Sequence, residues 1–259
     1  MPSGGVNGRV ALVTGASQGI GKATAALLVQ RGARVVGVAR DTARLQQAVQ
    51  ATGMHHIISA DLQEPKECQR VVQETIKAME GQLDILVCNH GIGVAHETVL
   101  HQEDPEAFEL SLRTNLIGPF YLTRHVLPIM IRNRYGRCVY TSSTASVFAE
   151  PKGVGYNTSK AGLDGLMRSV SQDGGAHDVT ANSVLPGWVR TELAERSAKE
   201  EAVSRGVTVD AIWSERAALY PPKRVVEPNE VAEVICFLAS QESRGVSGQS
   251  MPVTLGSFW

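Results

Sequence analysis

The sequence predicts a doubly wound α/β fold in a single domain, with a parallel sheet covered by helices on both faces. Three observations predict it. Short β-branched runs alternate with helix-like stretches along almost the whole chain. The runs are apolar at successive positions rather than alternately, as strands buried on both faces must be. No internal repeat or low-complexity linker interrupts the alternation across residues 1–259.

Strands are expected at Arg9 to Thr14, Arg34 to Ala39, His56 to Ala60, Leu83 to Asn89, Arg137 to Ser142, Val179 to Leu185 and Gln249 to Leu255, each flanked by turn residues. Between them lie amphipathic segments. From Pro65 to Met79, for example, Cys68, Val71, Val72, Thr75, Ile76 and Met79 recur at helical spacing, while Lys and Glu fill the other face. Residues 188–227 contain no strand and follow a strand's carboxyl end. Ligands of open α/β sheets bind in the crevice outside those ends, so this insert is placed to cover a substrate.

Bulk composition excludes several classes of function. Lys and Arg total 25 against 26 Asp and Glu, a formal charge of -1. No basic stripe is available for phosphate backbones or anionic lipid, so neither nucleic acid nor membrane partners are expected. The first residues lack the long apolar core of a signal peptide and later apolar runs are too short to span a bilayer, which makes a cytoplasmic location the expectation. Cys68, Cys88, Cys138 and Cys236 are far apart with no C-x-x-C pair, and read as buried thiols in a reducing compartment rather than metal ligands.

The first strand runs into TGASQGIG, Thr14 to Gly21, and then into a helical stretch that stops at Gly32. A glycine turn of this kind lets a pyrophosphate approach the backbone, with free N–H groups at the helix start facing it. Gly15, Gly19 and Gly21 do not have the G-x-G-x-x-G spacing, and the same glycines also suit close packing of the helix on the strand. At the end of the second strand stands Arg40, where an adenosine ribose is read: an Arg there suits the 2′-phosphate of NADP(H). The adjacent Asp41 supports the other reading, a carboxylate for the 2′-hydroxyl of NAD. Asp61, after the third strand, suits either the adenine amino group or a helix N-cap near Pro65.

In YNTSK, Tyr156 and Lys160 stand four residues apart, on one face of a predicted helix. A tyrosine pKa of about 10 is too high for work near neutrality, and a neighbouring ammonium favours the phenolate. Ser143 stands just beyond the strand ending at Ser142, where its hydroxyl can bond a substrate oxygen. Taken alone, the Tyr-Lys pair also fits a surface aromatic beside a solvated lysine.

Together these segments make the chain similar to the short-chain dehydrogenase/reductase family over essentially its whole length. TGASQGIG, Asp61, the run Cys88 to Gly91, Asn115 in RTNLIGPF, Ser143, Tyr156, Lys160 and PGWVRT from Pro186 to Thr191 occur in the family's order. The resemblance implies a seven-stranded Rossmann-type sheet, a homodimer or homotetramer, and a catalytic tetrad of Asn115, Ser143, Tyr156 and Lys160. It implies that Tyr156 protonates a carbonyl oxygen, Ser143 fixes that oxygen, Lys160 binds the nicotinamide ribose and lowers the tyrosine pKa, and Asn115 holds a water. Cofactor contacts are implied for Gly15, Ser17, Gln18, Gly19, Ile20, Gly21, Arg40, Asp61, Leu62, Asn89, Gly91, Tyr156, Lys160, Pro186, Gly187, Val189 and Thr191.

The departures from the family pattern are local. His90 replaces a small residue and is expected to be a satisfied packing histidine, while Gln18 occupies a position that is basic in many NADP-dependent members. The ending MPVTLGSFW carries two aromatics, Phe258 and Trp259, expected at a subunit interface or near a pocket. The expected function is reversible reduction of a ketone to a secondary alcohol with NADP(H). The substrate is expected to be apolar or cyclic, polyketide-like or 3-oxoacyl. Trp188, Leu193, Ile212, Trp213, Leu219 and Tyr220 of the insert suit such a ketone, or else helix packing. Two alternatives remain: an NAD-dependent alcohol dehydrogenase, supported by Asp41, and a non-catalytic NADP sensor, whose mark would be a damaged tetrad.

Overall fold

The computed structural model describes residues 5–94 and 97–257. Seven strands, β1 (Val10–Thr14), β2 (Arg34–Ala39), β3 (His56–Ser59), β4 (Ile85–Cys88), β5 (Gly136–Thr141), β6 (Val179–Pro186) and β7 (Ser250–Val253), form one sheet in the order β3-β2-β1-β4-β5-β6-β7. Every pairing is parallel. The strand order reverses between β1 and β4, and that switch point opens a crevice at the strands' carboxyl ends.

Period-two alternation sends neighbouring strand residues to opposite faces and so into two cores. Leu12, Val36, Leu86 and Cys138 meet Val71 of α3 (Pro65–Ala78), Leu122 and Val126 of α5 (Gly118–Asn133), and Leu163 and Met167 of α6 (Val154–Gly174). On the other face Ala11, Val13, Val35 and Ile85 meet Ala25 and Leu28 of α1 (Gly19–Gln30), Leu45 of α2 (Thr42–Thr52), and Val231 and Ile235 of α9 (Pro228–Leu238). The doubly wound expectation is met.

Strand ends differ from the expected ones for identifiable reasons. β4 stops at Cys88 because the Asn89 N–H leaves the ladder and donates to the Thr14 hydroxyl (3.0 Å). β7 is an edge strand paired only with β6, and it ends before Leu255, whose φ of 51° is incompatible with a strand. Phe258 and Trp259 lie outside the described residues.

The insert folds as α7 (Glu192–Arg205) and α8 (Val209–Ala218) around a small core of Ala198, Ala202, Ile212, Trp213, Tyr220 and Val225. A parallel bridge between Val189 and Val226 closes its base, with Arg190 N–H donating to Val226 (3.0 Å) and Val226 N–H to Trp188 (2.9 Å). Among the described residues, no helix is long and apolar enough to cross a membrane.

Candidate active site

At the nucleotide end, Gly15 and Gly19 have φ of 65° and 52°, a region that side-chain-bearing residues rarely adopt. A Cβ at Gly21 would collide with the Gly15 carbonyl oxygen. The glycines make the sharp turn and seat α1 closely on the strand. Gln18 is the N-cap of α1 but makes no side-chain cap, so first-turn amides stay open at the positive end of the helix dipole. A groove of about 520 Å³ lies alongside α1, bordered by Lys22 and Ala26, Thr52 at the end of α2, Thr191 and Glu192 at the start of α7, and Pro228 of α9. Thr191 caps that helix, its hydroxyl accepting from Ala194 N–H (3.2 Å). Ser17 and Ile20 complete the turn.

Thr14 is the hub beneath the loop. Its hydroxyl oxygen receives the N–H groups of Asn89 (3.0 Å) and His90 (3.2 Å) and lies 2.7 Å from His90 Nδ1. Asn89 in turn donates from its amide to the Thr14 carbonyl (3.2 Å) and accepts from the Thr141 hydroxyl (3.1 Å), tying together the ends of β1, β4 and β5. His90 corrects the expectation of a satisfied packing residue. Its Nδ1 is paired, but Nε2 is buried with no partner, and burial lowers the imidazole pKa to about 3, so it is neutral.

Arg40 is exposed at the end of β2. Asp41 is engaged elsewhere: it caps α2 by accepting from Arg44 N–H (3.0 Å), and it pairs with the Arg44 guanidinium (3.4 Å). Asp61 does not cap α3; that position belongs to Glu64, and the Asp61 carboxylate accepts from Gln63 N–H (3.2 Å) in a local turn. The side chain of Leu62 is buried, and its carbonyl lies against Gly118. Pro186 ends β6, Gly187 N–H donates to Val253 (3.1 Å), and the buried Val189 forms the bridge to Val226 at the base of the insert.

At the other end of the crevice, α6 carries Tyr156 and Lys160 on one face, and Lys160 Nζ lies 5.6 Å from the Tyr156 ring centroid. Nζ donates to the Thr141 carbonyl at the end of β5 (2.9 Å), which fixes an ammonium that is only 5 % exposed. Ser143, just past β5, caps a short 3₁₀ turn by accepting from Ala145 N–H (3.1 Å). Asn115 sits in a π-helical turn, residues 113–117, between α4 (Pro105–Leu112) and α5. Such turns occur often where a helix must re-aim a side chain. Asn115 accepts from Ile92 N–H (2.8 Å) and donates to the Ile92 carbonyl (3.0 Å) and the Ser159 hydroxyl (3.0 Å). Gly91 passes over this group; a Cβ there would lie 2.9 Å from Asn115 Oδ1 and 3.6 Å from Lys160 Nζ.

Charge in this cluster is governed by burial. Lys160 is lowered to about 8 by desolvation, with Asp164 pulling the other way. Tyr156 is pushed up to about 12 by desolvation; the Ser143 hydroxyl beside it pulls it down and the Glu150 carboxylate pushes it up. The expected lowering of the tyrosine by Lys160 is therefore not what this arrangement shows. Desolvation of the phenolate sets the direction, and the ammonium is turned toward Thr141. In this arrangement the free phenol therefore keeps its proton near neutrality.

Several contributors were missed in the sequence. Thr141 and Ser159 act through a carbonyl and a hydroxyl next to Lys160 and Asn115, positions that motif spacing does not mark. Glu150 precedes Tyr156 in a loop clasped by Asn157, whose amide donates to the Glu150 carbonyl (2.8 Å) and accepts from its N–H (3.3 Å). Tyr220 reaches from the insert to accept from Trp188 N–H (2.6 Å), over a Gly187 that leaves no room for a Cβ. Of the insert's apolar residues, Ile212, Trp213 and Tyr220 belong to its own core, while Leu193 and Leu219 are exposed.

The fold and this cluster define a dinucleotide-binding oxidoreductase architecture, and the comparisons give its family. A family model described as enoyl-(acyl carrier protein) reductase matches residues 15–257. The chain belongs to the short-chain dehydrogenase/reductase family and is an oxidoreductase of that family. It is 36% identical over 261 residues to versicolorin reductase 1 of Aspergillus parasiticus, covering 98% of this chain and 97% of the relative. A 3-oxoacyl-(acyl-carrier-protein) reductase of Thermotoga maritima is 32% identical over 258 residues, with 97% and 98% covered. The crystal structure of levodione reductase superposes with a TM-score of 0.89 at 26% identity, covering 96% of this chain and 97% of that one.

Proposed function

We propose that this chain is an NADPH-dependent ketoreductase that reversibly converts an apolar, cyclic or 3-oxoacyl ketone into a secondary alcohol. The observation that carries the reading is the buried Lys160 side chain, fixed on the end of β5 with its Nζ 5.6 Å from the Tyr156 ring centroid. The crevice fits a dinucleotide: glycines that tolerate no Cβ, open helix amides, and Gly91 passing close over Asn115 and Lys160. Gly15, Ser17, Gly19, Ile20 and Gly21 would receive the pyrophosphate with Thr191, Asp61 and Leu62 the adenine, Asn89 and Gly91 the ribose side, and Pro186, Gly187 and Val189 the nicotinamide.

When bound, the cofactor supplies a hydride to the carbonyl carbon. Ser143 donates a hydrogen bond to the carbonyl oxygen and orients it. Tyr156 gives its phenolic proton to that oxygen as negative charge develops there, so hydride plus proton balance to an alcohol. Lys160 holds the ribose side and offsets the phenolate left behind. Asn115, anchored to Ile92 and Ser159, keeps the site's water in place for return of the proton.

The substrate class rests on the exposed Val147, Leu193 and Leu219 on the loop after β5 and on the insert, and on the names of the relatives. Arg40 supports NADP(H), because Asp41 already has partners in α2. We assign the enzyme to the cytoplasm, where its four unpaired thiols stay reduced. We also assign it an oligomeric state, since Leu110, Ile117 and Phe120 leave apolar surface on the α4–α5 rod. Light scattering should give a dimer or tetramer, and a monomer across a wide concentration range would contradict that assignment.

NADPH oxidation measured against a panel of cyclic ketones and 3-oxoacyl thioesters tests the reading. Turnover of members of that panel, absent in Tyr156→Phe, is expected. Oxidation of NADH only, or none with any ketone, would overturn it.

A further inference from the structure

Gln18 poses a problem for the cofactor assignment, because the glycine loop lacks a cation at the position where many NADP-dependent members of the family carry one. The structure supplies a cation from a different element. Arg44, in the first turn of α2, reaches back to the loop and donates from Nη1 to Gln18 Oε1 (3.0 Å). Its Nε lies 3.4 Å from Asp41 Oδ2, while Asp41 Oδ1 takes the Arg44 backbone N–H (3.0 Å). An arginine side chain that is 58% exposed would ordinarily sample many rotamers. Here both ends of its guanidinium are held.

These contacts line a cleft of about 340 Å³ beside the glycine loop, bordered by Ser17, Gln18, Lys22, Arg44 and Arg196, with Glu192 as the opposing carboxylate. With Asp41 included, three cations face two carboxylates, a balance that still favours an anion. A guanidinium has five N–H donors; two are committed to Gln18 and Asp41, so the rest remain available to a phosphate. Asp41 opposes any phosphate by its charge, but that charge is already met by Arg44 and by the α2 N-terminus.

We propose that Arg44, braced over the glycine loop by Gln18 and Asp41, is a second cation for an adenosine 2′-phosphate, in addition to Arg40. Gln18 and Asp41 are then positioning residues, and Asp41 is a brace rather than a reader of ribose hydroxyls. This inference rests on the NADP(H) reading above. It differs from that reading in assigning the selectivity to two arginines instead of one.

Fluorescence titration of the full chain with NADPH, NADH and 2′,5′-ADP separates the two. For Arg44→Ala, affinity for NADPH and for 2′,5′-ADP should fall about tenfold, the loss of one charge-assisted bond, with NADH affinity unchanged. Gln18→Ala should shift the same pair in the same direction by a smaller factor. Asp41→Asn, which keeps a helix-capping oxygen but loses the charge, should leave NADH affinity unchanged. Circular dichroism confirms that each variant is folded. If the parent prefers NADPH but Arg44→Ala leaves all three affinities unchanged, or lowers those of NADPH and NADH equally, the inference fails and Arg40 alone sets selectivity. A fall in NADH affinity in Asp41→Asn would make Asp41 a ribose reader and overturn the bracing role. If the parent itself prefers NADH, the cofactor assignment fails first.

Discussion

The two ends of the crevice are built from different materials. At the nucleotide end the structure offers backbone: glycines, open amides, and charged side chains such as Arg40, Asp41 and Arg44 that stand in water. At the carbonyl end it offers buried side chains, with Asn115, Ser143 and Lys160 each less than a tenth exposed. Water screens charge at the first end far more than at the buried second. Recognition at the nucleotide end should therefore change in modest, separable steps. Chemistry at the carbonyl end should collapse when a single atom is removed.

The largest expected effect lies at the buried end. Tyr156→Phe removes one oxygen and should lower single-turnover ketone reduction by roughly 10²- to 10⁴-fold, while NADPH binding stays within a few-fold of the parent. Parallel stopped-flow and titration measurements check this; a variant within threefold of the parent rate would erase the contrast between the ends.

Next comes Arg40→Ala at the exposed end. It should weaken NADPH binding by about one to two powers of ten and leave NADH binding nearly unchanged. An equal loss for both cofactors would mean that Arg40 supports the loop rather than reads the phosphate.

A pH profile sharpens the comparison at the buried end. Lys160 is lowered to about 8, so it is charged below that pH and neutral above it. The reductive kcat/KM reports groups of the free enzyme, and it should be level below pH 8 and decline as pH rises through that value. Lys160→Met should remove the decline along with most of the activity. A profile that rises through pH 8 would reverse the assigned protonation state.

The smallest effect is expected from Tyr220→Phe, which leaves the Trp188 N–H without its acceptor. Thermal denaturation should show a loss of about 1 kcal/mol, the low end of the cost of an unsatisfied group that is only partly buried. No change would mean that water replaces the hydroxyl there.

Strand positions were legible because parallel strands are buried on both faces and so read as apolar runs. Their ends were not: the run through Leu83 to Asn89 gives no sign that Asn89 leaves the ladder for Thr14. The positions of Tyr156, Lys160, Ser143 and Asn115 were legible from motif order, because each lies at a fixed place on a strand end or helix face. Their charges were not, since desolvation depends on what is packed around them, and it raised Tyr156 where spacing alone suggested lowering. Asp41 shows the same limit at the other end. A carboxylate after β2 suits a ribose or an α2 cap equally well in sequence, and only the fold brings Arg44 and Gln18 to it. Ile212, Trp213 and Tyr220 could line a pocket or a helix pair, and the insert's two-helix packing takes them.

The central claim is that this crevice passes a hydride and a proton to a carbonyl. Reduction of a ketone from the panel with NADPH deuterated at the transferring C4 position tests it most directly. Mass spectrometry of the product should show deuterium on the carbinol carbon and none on the hydroxyl after exchange into water. NADPH consumed with no deuterium in the alcohol would contradict the account.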